Sequence, residues 1–226
     1  TFHWLVIIGV IPAALSVLLL LFFVHEARAP HPKRWKIDVA GAIRGFDRRF
    51  KTFLAIMVLF TLGNSVTAFL ILRAANIGLS PFNILLLLVL FNLVYASVAY
   101  PSGRLSDRIG RKRVIVAGWG VYALTYLGFA LAAASWHIIL LFALYGLYFG
   151  MAEGATRAFV ADIVPEERRG TAYGLYHGVV GLMLLPASVI AGLLWLINPI
   201  NPMAPFFFGA AMAATAMVGF ALLIRE

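Results

Sequence analysis

GRLSDRIGRKR, residues 103–113, sets five cations into eleven residues of a 226-residue chain that is 63% hydrophobic and only 12% charged. The charge is concentrated because little of the remaining sequence can hold it: residues 3–24, 52–72 and 170–224 contain no Asp, Glu, Lys or Arg. A bilayer core of about 30 Å takes roughly 20 apolar residues of helix per crossing, so these runs read as membrane spans. The last is long enough to cross twice, with its break at NPINP, residues 198–202, where two prolines withhold donors and the asparagines favour a turn. Seven spans follow, near residues 3–24, 52–73, 82–101, 114–134, 138–163, 171–197 and 205–224. The fold class is therefore an all-α polytopic membrane helix bundle with seven transmembrane helices, in line with a mean hydropathy of +0.96.

Between the spans, Lys and Arg sort to one side. Residues 25–51 hold eight, residues 102–113 five and residues 164–170 two, while the opposite side has only Arg73 at a helix end. The positive-inside rule puts those three loops and the C-terminus in the cytoplasm and the N-terminus outside. The net charge of +9 is thus mostly a topology signal. No basic folded domain is left over for nucleic acid once the spans are removed. The chain has no Cys, hence no disulfide framework and no thiolate metal site. Span 3–24 lacks the basic leader and small-residue cleavage site of a signal peptide; with no initiator Met, the chain is expected to begin inside a longer protein or to have been trimmed.

The first cytoplasmic loop also has a pattern. Trp35, Val39, Ile43, Phe46 and Phe50 recur at helical spacing after the breaker APHP, with Lys36, Arg44, Arg48 and Arg49 on other faces. The pattern predicts an interfacial amphipathic helix held against anionic headgroups, or a site for a regulatory partner.

In residues 103–113, order matters as well as charge. Gly103, Leu105, Asp107, Arg108, Gly110, Arg111, Lys112 and Arg113 reproduce G-x-L-x-D-R-x-G-R-K-R, and the stretch resembles the signature loop of the major facilitator superfamily. Gly103 and Gly110 allow a short turn, Asp107 can accept from the amides at a neighbouring helix N-terminus, and the arginines can pair with carboxylates. ADIVPEERRGTAYG, residues 161–174, is similar to a second superfamily pattern through Asp162, Arg169 and Gly170. The resemblance implies that Asp107, Arg108, Asp162 and Arg169 form a charge network stabilising one state of a transport cycle. It also implies an architecture: residues 1–24 resemble helix six, residues 25–51 the cytoplasmic basic linker between the halves, and residues 52–226 a six-helix C-terminal bundle. The N-terminal half of the same transporter is then an expected partner, as is the lipid bilayer.

Charges inside a span are candidate functional groups because each costs roughly 2.5–3.5 kcal/mol at a helix centre. Two are deep, Glu153 and Arg157, spaced i, i+4 so that they can pair. Tyr145 and Phe149 continue their stripe. On the family's plan this is a cavity-lining helix, so the stripe is either a wall of the substrate path, with Glu153 the proton-coupling group, or a structural ion pair. Asn64, Ser65 and Thr67, beside Gly63, can bind substrate or bond neighbouring helices. Asn92, Tyr95 and His177 are weaker candidates, each alone better explained as a satisfied interior residue. Gly146, Gly150 and Gly154, and likewise Gly174, Gly178 and Gly181, form small-residue series suited to close helix contact, and Pro186 is expected to bend its helix.

No Ser/His/Asp order, HExxH or phosphate loop is present, so an enzyme is not expected, nor is a cofactor. The resemblance implies secondary active transport of a small-molecule substrate by alternating access, coupled to protons, of the drug or organic-solute exporter type, in a bacterial inner (plasma) membrane. An importer of nutrients or organic anions in the same superfamily, or a non-transporting receptor or scaffold with the transporter fold, is the alternative. Arg157 suits an anionic nutrient equally well; the cost of the intramembrane pair argues against the scaffold.

Overall fold

A computed structural model describes residues 10–11, 15–19, 39–64, 67–198 and 202–224. The chain divides into two compact units, residues 1–37 and 38–226. In the first, residues 10–11 and 15–19 are helical; the rest of the predicted first span, and Trp35 in the linker, lie outside the described residues.

The second unit is built from helices α1 (Val39–Arg44), α2 (Arg48–Gly63), α3 (Ala68–Asn76), α4 (Pro81–Ile109), α5 (Arg111–Leu131), α6 (Ser135–Asp162), α7 (Arg169–Ile197) and α8 (Ala204–Leu223), with a 3₁₀ turn at Glu166–Arg168. Among the described residues there are six spans long and apolar enough to cross a membrane, α2 and α3 together making the first. Except at the C-terminal end of α4, they start and stop within a few residues of the predicted spans.

Two boundaries differ from the sequence expectation, for physical reasons. The amphipathic pattern of the linker does not continue as one surface helix. α1 ends at Arg44, Asp47 takes an extended conformation at the N-cap of α2, and Phe46 and Phe50 are buried in the bundle core. Their rings form a tilted row with Phe53, so this part of the apolar face packs against protein. At the other boundary, α4 runs on through the motif to Ile109. Gly103 is an interior helical residue with open space where a Cβ would stand, so the turn rests on Gly110 alone. Its φ of 98° lies in the region that L side chains avoid, and α5 begins at the next residue.

Packing is centred on α5 and α6. α5 buries Ile115, Trp119, Tyr122, Tyr126 and Phe129, and α6 buries Phe142, Tyr145, Tyr148, Ala152, Ala155 and Phe159, at three- to four-residue spacing. α4 packs on α6, α8 on α5 and α2, and α7 chiefly on α2. The outer faces of α4 and α7 are apolar and uncovered, with Phe82, Leu85, Val89 and Leu93 on one and Leu182, Leu185, Val189 and Leu193 on the other. This is what a helix bordering lipid or a further transmembrane element presents.

In lipid, helices associate through close contact of small residues and through hydrogen bonds, and both devices are present. A Cβ on Gly146 would stand 2.6 Å from the Phe91 carbonyl oxygen, and one on Gly150 would stand 2.8 Å from Val98 Cβ. These two glycines therefore seat α6 against α4. Gly154, Gly174, Gly178 and Gly181 have no such neighbour, so the expected packing series stops after Gly150 and the series on α7 seats nothing within this unit. Gly146→Ala should therefore destabilise the bundle by about 1–3 kcal/mol, because a backbone oxygen cannot step aside. Gly154→Ala should be neutral or stabilising by up to about 1 kcal/mol through helix propensity. Thermal unfolding of the two variants in one detergent checks the contrast.

Arg73, the exception to the positive-inside count, is only 2% exposed. It donates to the carbonyls of Phe129 (3.2 Å) and Ala132 (2.8 Å) and to Asn76 Oδ1 (2.9 Å). A cation bonded to the last carbonyls of α5 is favourably placed in that helix's dipole, and it ties α3 to α5. α7 continues through Pro186 without a break.

Candidate functional site

A cavity of about 220 Å³ opens among α2, α5, α6 and α7. Its walls are aromatic and aliphatic: Met57 and Phe60 from α2, Trp119 from α5, Tyr148 and Phe149 from α6, Tyr176 and Val180 from α7. Set into them are Thr61, Asn64, Thr156 and His177, together with Glu153 and Arg157. A few polar groups in an apolar concavity is the usual composition of a small-molecule site.

The sequence geometry of α6 brings the two charges together. With i, i+4 spacing, Arg157 pairs with Glu153 Oε1, and Tyr95 of α4 donates to Oε2 at 2.9 Å. Both carboxylate oxygens are thus engaged, one by a cation and one by a neutral hydroxyl. Tyr95 can reach because Gly150 lets α4 and α6 approach, its missing side chain facing the Tyr95 carbonyl. The guanidinium is the more open partner, with 54% of the Arg157 side chain exposed against 33% for Glu153. Tyr173 of α7 donates to the Arg157 backbone carbonyl at 2.9 Å, which ties α7 to the same turn of α6.

The polar cluster of the first described span is divided by the structure. α2 ends at Gly63, and Asn64 leaves helical geometry at φ −91°, ψ 78°. The Tyr122 hydroxyl donates to the Gly63 carbonyl at 3.1 Å, with Asn64 Oδ1 a second acceptor at 3.3 Å. Non-helical backbone at membrane depth is tolerated where side chains meet its polar groups and it borders a cavity, and both hold for Asn64. Ser65 lies outside the described residues. Thr67 opens α3 and meets the Tyr145 hydroxyl rather than the cavity. Tyr145 itself is 2% exposed and packed among Phe91, Tyr122, Tyr148 and Phe149. It therefore supports the cavity wall from behind, and the expected stripe reaches the lumen only from Phe149 inward. Asn92 is satisfied on its own helix, by Leu88 O at 2.8 Å. His177 does line the cavity.

A second polar cluster joins three helix ends. Arg111, the first residue of α5, pairs with Asp107 on the last turn of α4, reaches Asp162 at the end of α6 at 3.2 Å, and donates to Ser106 Oγ at 3.3 Å. The expected network is present in part, with a different hub. Asp107 and Asp162 are bridged by Arg111, and Asp107 is turned to that guanidinium instead of helix amides. Arg108 borders a shallow hollow with Pro101, Arg104 and Leu105. Arg169 donates to the Ala161 carbonyl at 3.2 Å and stands 3.9 Å from Glu166. It closes the α6 C-terminus and makes no bridge to Asp162. Lys112 lies beside the hub. Sequence order alone could not separate Arg108 from Arg111. What does so is that Arg111 follows the Gly110 reversal and so faces back across both helix ends.

The comparisons bear on this arrangement. A sequence model of the Major Facilitator Superfamily matches residues 52–226. An uncharacterized MFS-type transporter of Methanocaldococcus jannaschii is 38% identical over 219 residues, 94% of this chain and 54% of that protein. The class H tetracycline resistance protein of Pasteurella multocida is 30% identical over 62% of this chain and 34% of its own length. A Na(+), Li(+), K(+)/H(+) antiporter of Planococcus maritimus is 24% identical over 49% of this chain and 27% of its own. The chain thus spans about half the length, or less, of these curated relatives. With its signature motif, its six-span bundle and a match running from residue 52 to the end of the sequence, the chain belongs to the major facilitator superfamily.

Proposed function

We propose that the full-length protein moves a small amphiphilic solute across the plasma membrane by alternating access, in exchange for protons. The observation that carries this reading is the Glu153–Arg157 pair on the wall of an aromatic cavity, with its cation turned to the lumen. An ion pair that stiffened the bundle alone would need no such exposure. A solute that draws Arg157 away leaves Glu153 with only the Tyr95 hydroxyl, and the carboxylate is then better placed to take a proton. Binding and protonation are thereby linked. The aromatic rings supply apolar contact without strict shape selection. The names of two relatives, one for tetracycline resistance and one for exchange of alkali cations with H+, support efflux and proton exchange.

In this reading residues 52–226 are helices seven to twelve, residues 25–51 are the cytoplasmic linker, and the N-terminal half supplies the opposite wall of the cavity. The C-terminus and the Arg111 cluster face the cytoplasm, where the cluster holds helix ends together in one state of the cycle. The exposure of Arg157 also favours a second reading, uptake of an organic anion.

Reconstitution of the full-length protein in vesicles with a pH-reporting dye tests the main reading. Adding tetracycline or an aromatic amine should dissipate an imposed pH gradient faster than in empty vesicles, saturably. An organic acid that alone does so would favour uptake of anions. No proton movement with any solute would overturn proton exchange.

A further inference from the structure

A second cavity, of about 310 Å³, lies at the cytoplasmic end among α2, α5 and α6. Three of the residues that line it are cations, Arg49, Arg111 and Lys112. Arg111 is committed to Asp107 and Asp162. Lys112 makes no ion pair among the described residues. Arg49 is the informative one. Its guanidinium carbon sits 5.7 Å from the centre of the Phe159 ring, and its Nε is buried without any hydrogen-bond partner.

A buried cationic donor left unpaired is costly, and each such group asks for an explanation. Asp162 borders the same cavity but is already held by Arg111, so the local charge balance is three cations against two carboxylates, with Arg49 and Lys112 unneutralised. α5 starts at this point with no side-chain cap, leaving its first amides open to an acceptor. The remaining wall, Phe159 and Ile163, is apolar.

We propose that this cavity binds a phosphate group, held by Arg49 from α2 and Lys112 from α5. Phosphate offers several acceptor oxygens to two cations and to helix amides at once. Two sources share that chemistry at a membrane surface: an anionic phospholipid headgroup, whose binding in basic pockets between transmembrane helices is physically expected, and a soluble phosphate. The site is separate from the aromatic cavity, and its occupation would join the start of α2 to the start of α5.

Native mass spectrometry of the full-length protein, titrated with phosphatidylglycerol or with phosphatidylcholine, provides the test. The expected result is one retained phosphatidylglycerol, with Arg49→Gln and Lys112→Gln each weakening retention about tenfold, the loss of one hydrogen bond between charged groups. Arg113→Gln should leave retention unchanged, since Arg113 is exposed on the same stretch and outside the cavity. A parallel arm measures melting temperature against inorganic phosphate in phosphatidylcholine. A saturable rise lost in the Lys112→Gln variant identifies a soluble source, and a response to phosphatidylglycerol alone identifies the headgroup. If Arg49→Gln does not fold, Lys112→Gln against Arg113→Gln carries the comparison. Equal losses in those two variants, or no response to either phosphate carrier, would overturn the site.

Discussion

Glu153→Gln in the full-length protein should abolish accumulation driven by a pH gradient while leaving exchange of substrate across the membrane. Gln keeps the size of the side chain and can still accept from Tyr95 through its amide oxygen, so the bond at 2.9 Å between α4 and α6 is retained. What it loses is the ability to carry a proton and to pair with Arg157. Measured in vesicles, accumulation with an imposed gradient should fall to the level seen without one, and counterflow of labelled solute should persist. Arg157→Ala should instead weaken substrate binding and leave whatever transport remains sensitive to pH. A purely structural pair predicts a different result: both substitutions would lower folded yield, since breaking a buried pair costs about 3–5 kcal/mol. That penalty is discounted here because the two side chains are 33% and 54% exposed. Accumulation at the wild-type level in the Gln variant would move proton coupling to another residue of the full-length protein.

Substituting Arg111 should have the next largest effect. Its guanidinium is shared by Asp107, Asp162 and Ser106, so Arg111→Gln separates the end of α4 from the end of α6 and leaves two carboxylates near each other without their cation. Each exposed pair alone is worth at most about 1 kcal/mol. Two sharing one cation give roughly 2 kcal/mol, about thirtyfold in the population of the state that needs this closure. Asp107→Asn removes one arm and should shift the equilibrium less. Arg111→Lys keeps the charge but not the planar fork, and should fall between. Cysteine pairs across the helix ends around the Arg111 cluster, cross-linked in membranes, report the populations. Unchanged cross-linking in Arg111→Gln would show that the cluster does not set the conformational balance.

The six spans of the described residues, their order and the gathering of charge at one end of the bundle were legible in the sequence because the bilayer imposes them: a run without charge must be buried in lipid or protein, and basic loops share one side. Glu153 and Arg157 were legible for the same reason, as costly exceptions. The lumen around them was not. Between Val114 and Ala152 both α5 and α6 carry apolar and aromatic residues on every face, so no periodicity distinguishes Trp119 and Tyr148, which border the cavity, from Tyr126 and Tyr145, which do not. Tyr95 stood out only weakly, because its partner lies 58 residues away. Arg73 registered as a topology exception, and its bonds to the Phe129 and Ala132 carbonyls need the tertiary fold to bring α3 beside the end of α5. The motif marked Arg108 and Arg111 alike, and the one-residue turn between them decided which became the hub.

That turn also fixes how parts of this bundle can move. A joint of one residue, Gly110, has no slack, and α4 beyond it is 29 residues long, a lever of about 44 Å at 1.5 Å per residue. A tilt of about 5° at the joint would swing its far end by about 4 Å, yet Gly146 and Gly150 clamp α4 to α6 along the way. α4, α5 and α6 therefore travel as one stiff block, and the compliance of this unit falls to α7, whose main seat is α2. α7 carries Tyr176, His177 and Val180 into the aromatic cavity, so a shift of the helix with the loosest seat would change the cavity's width.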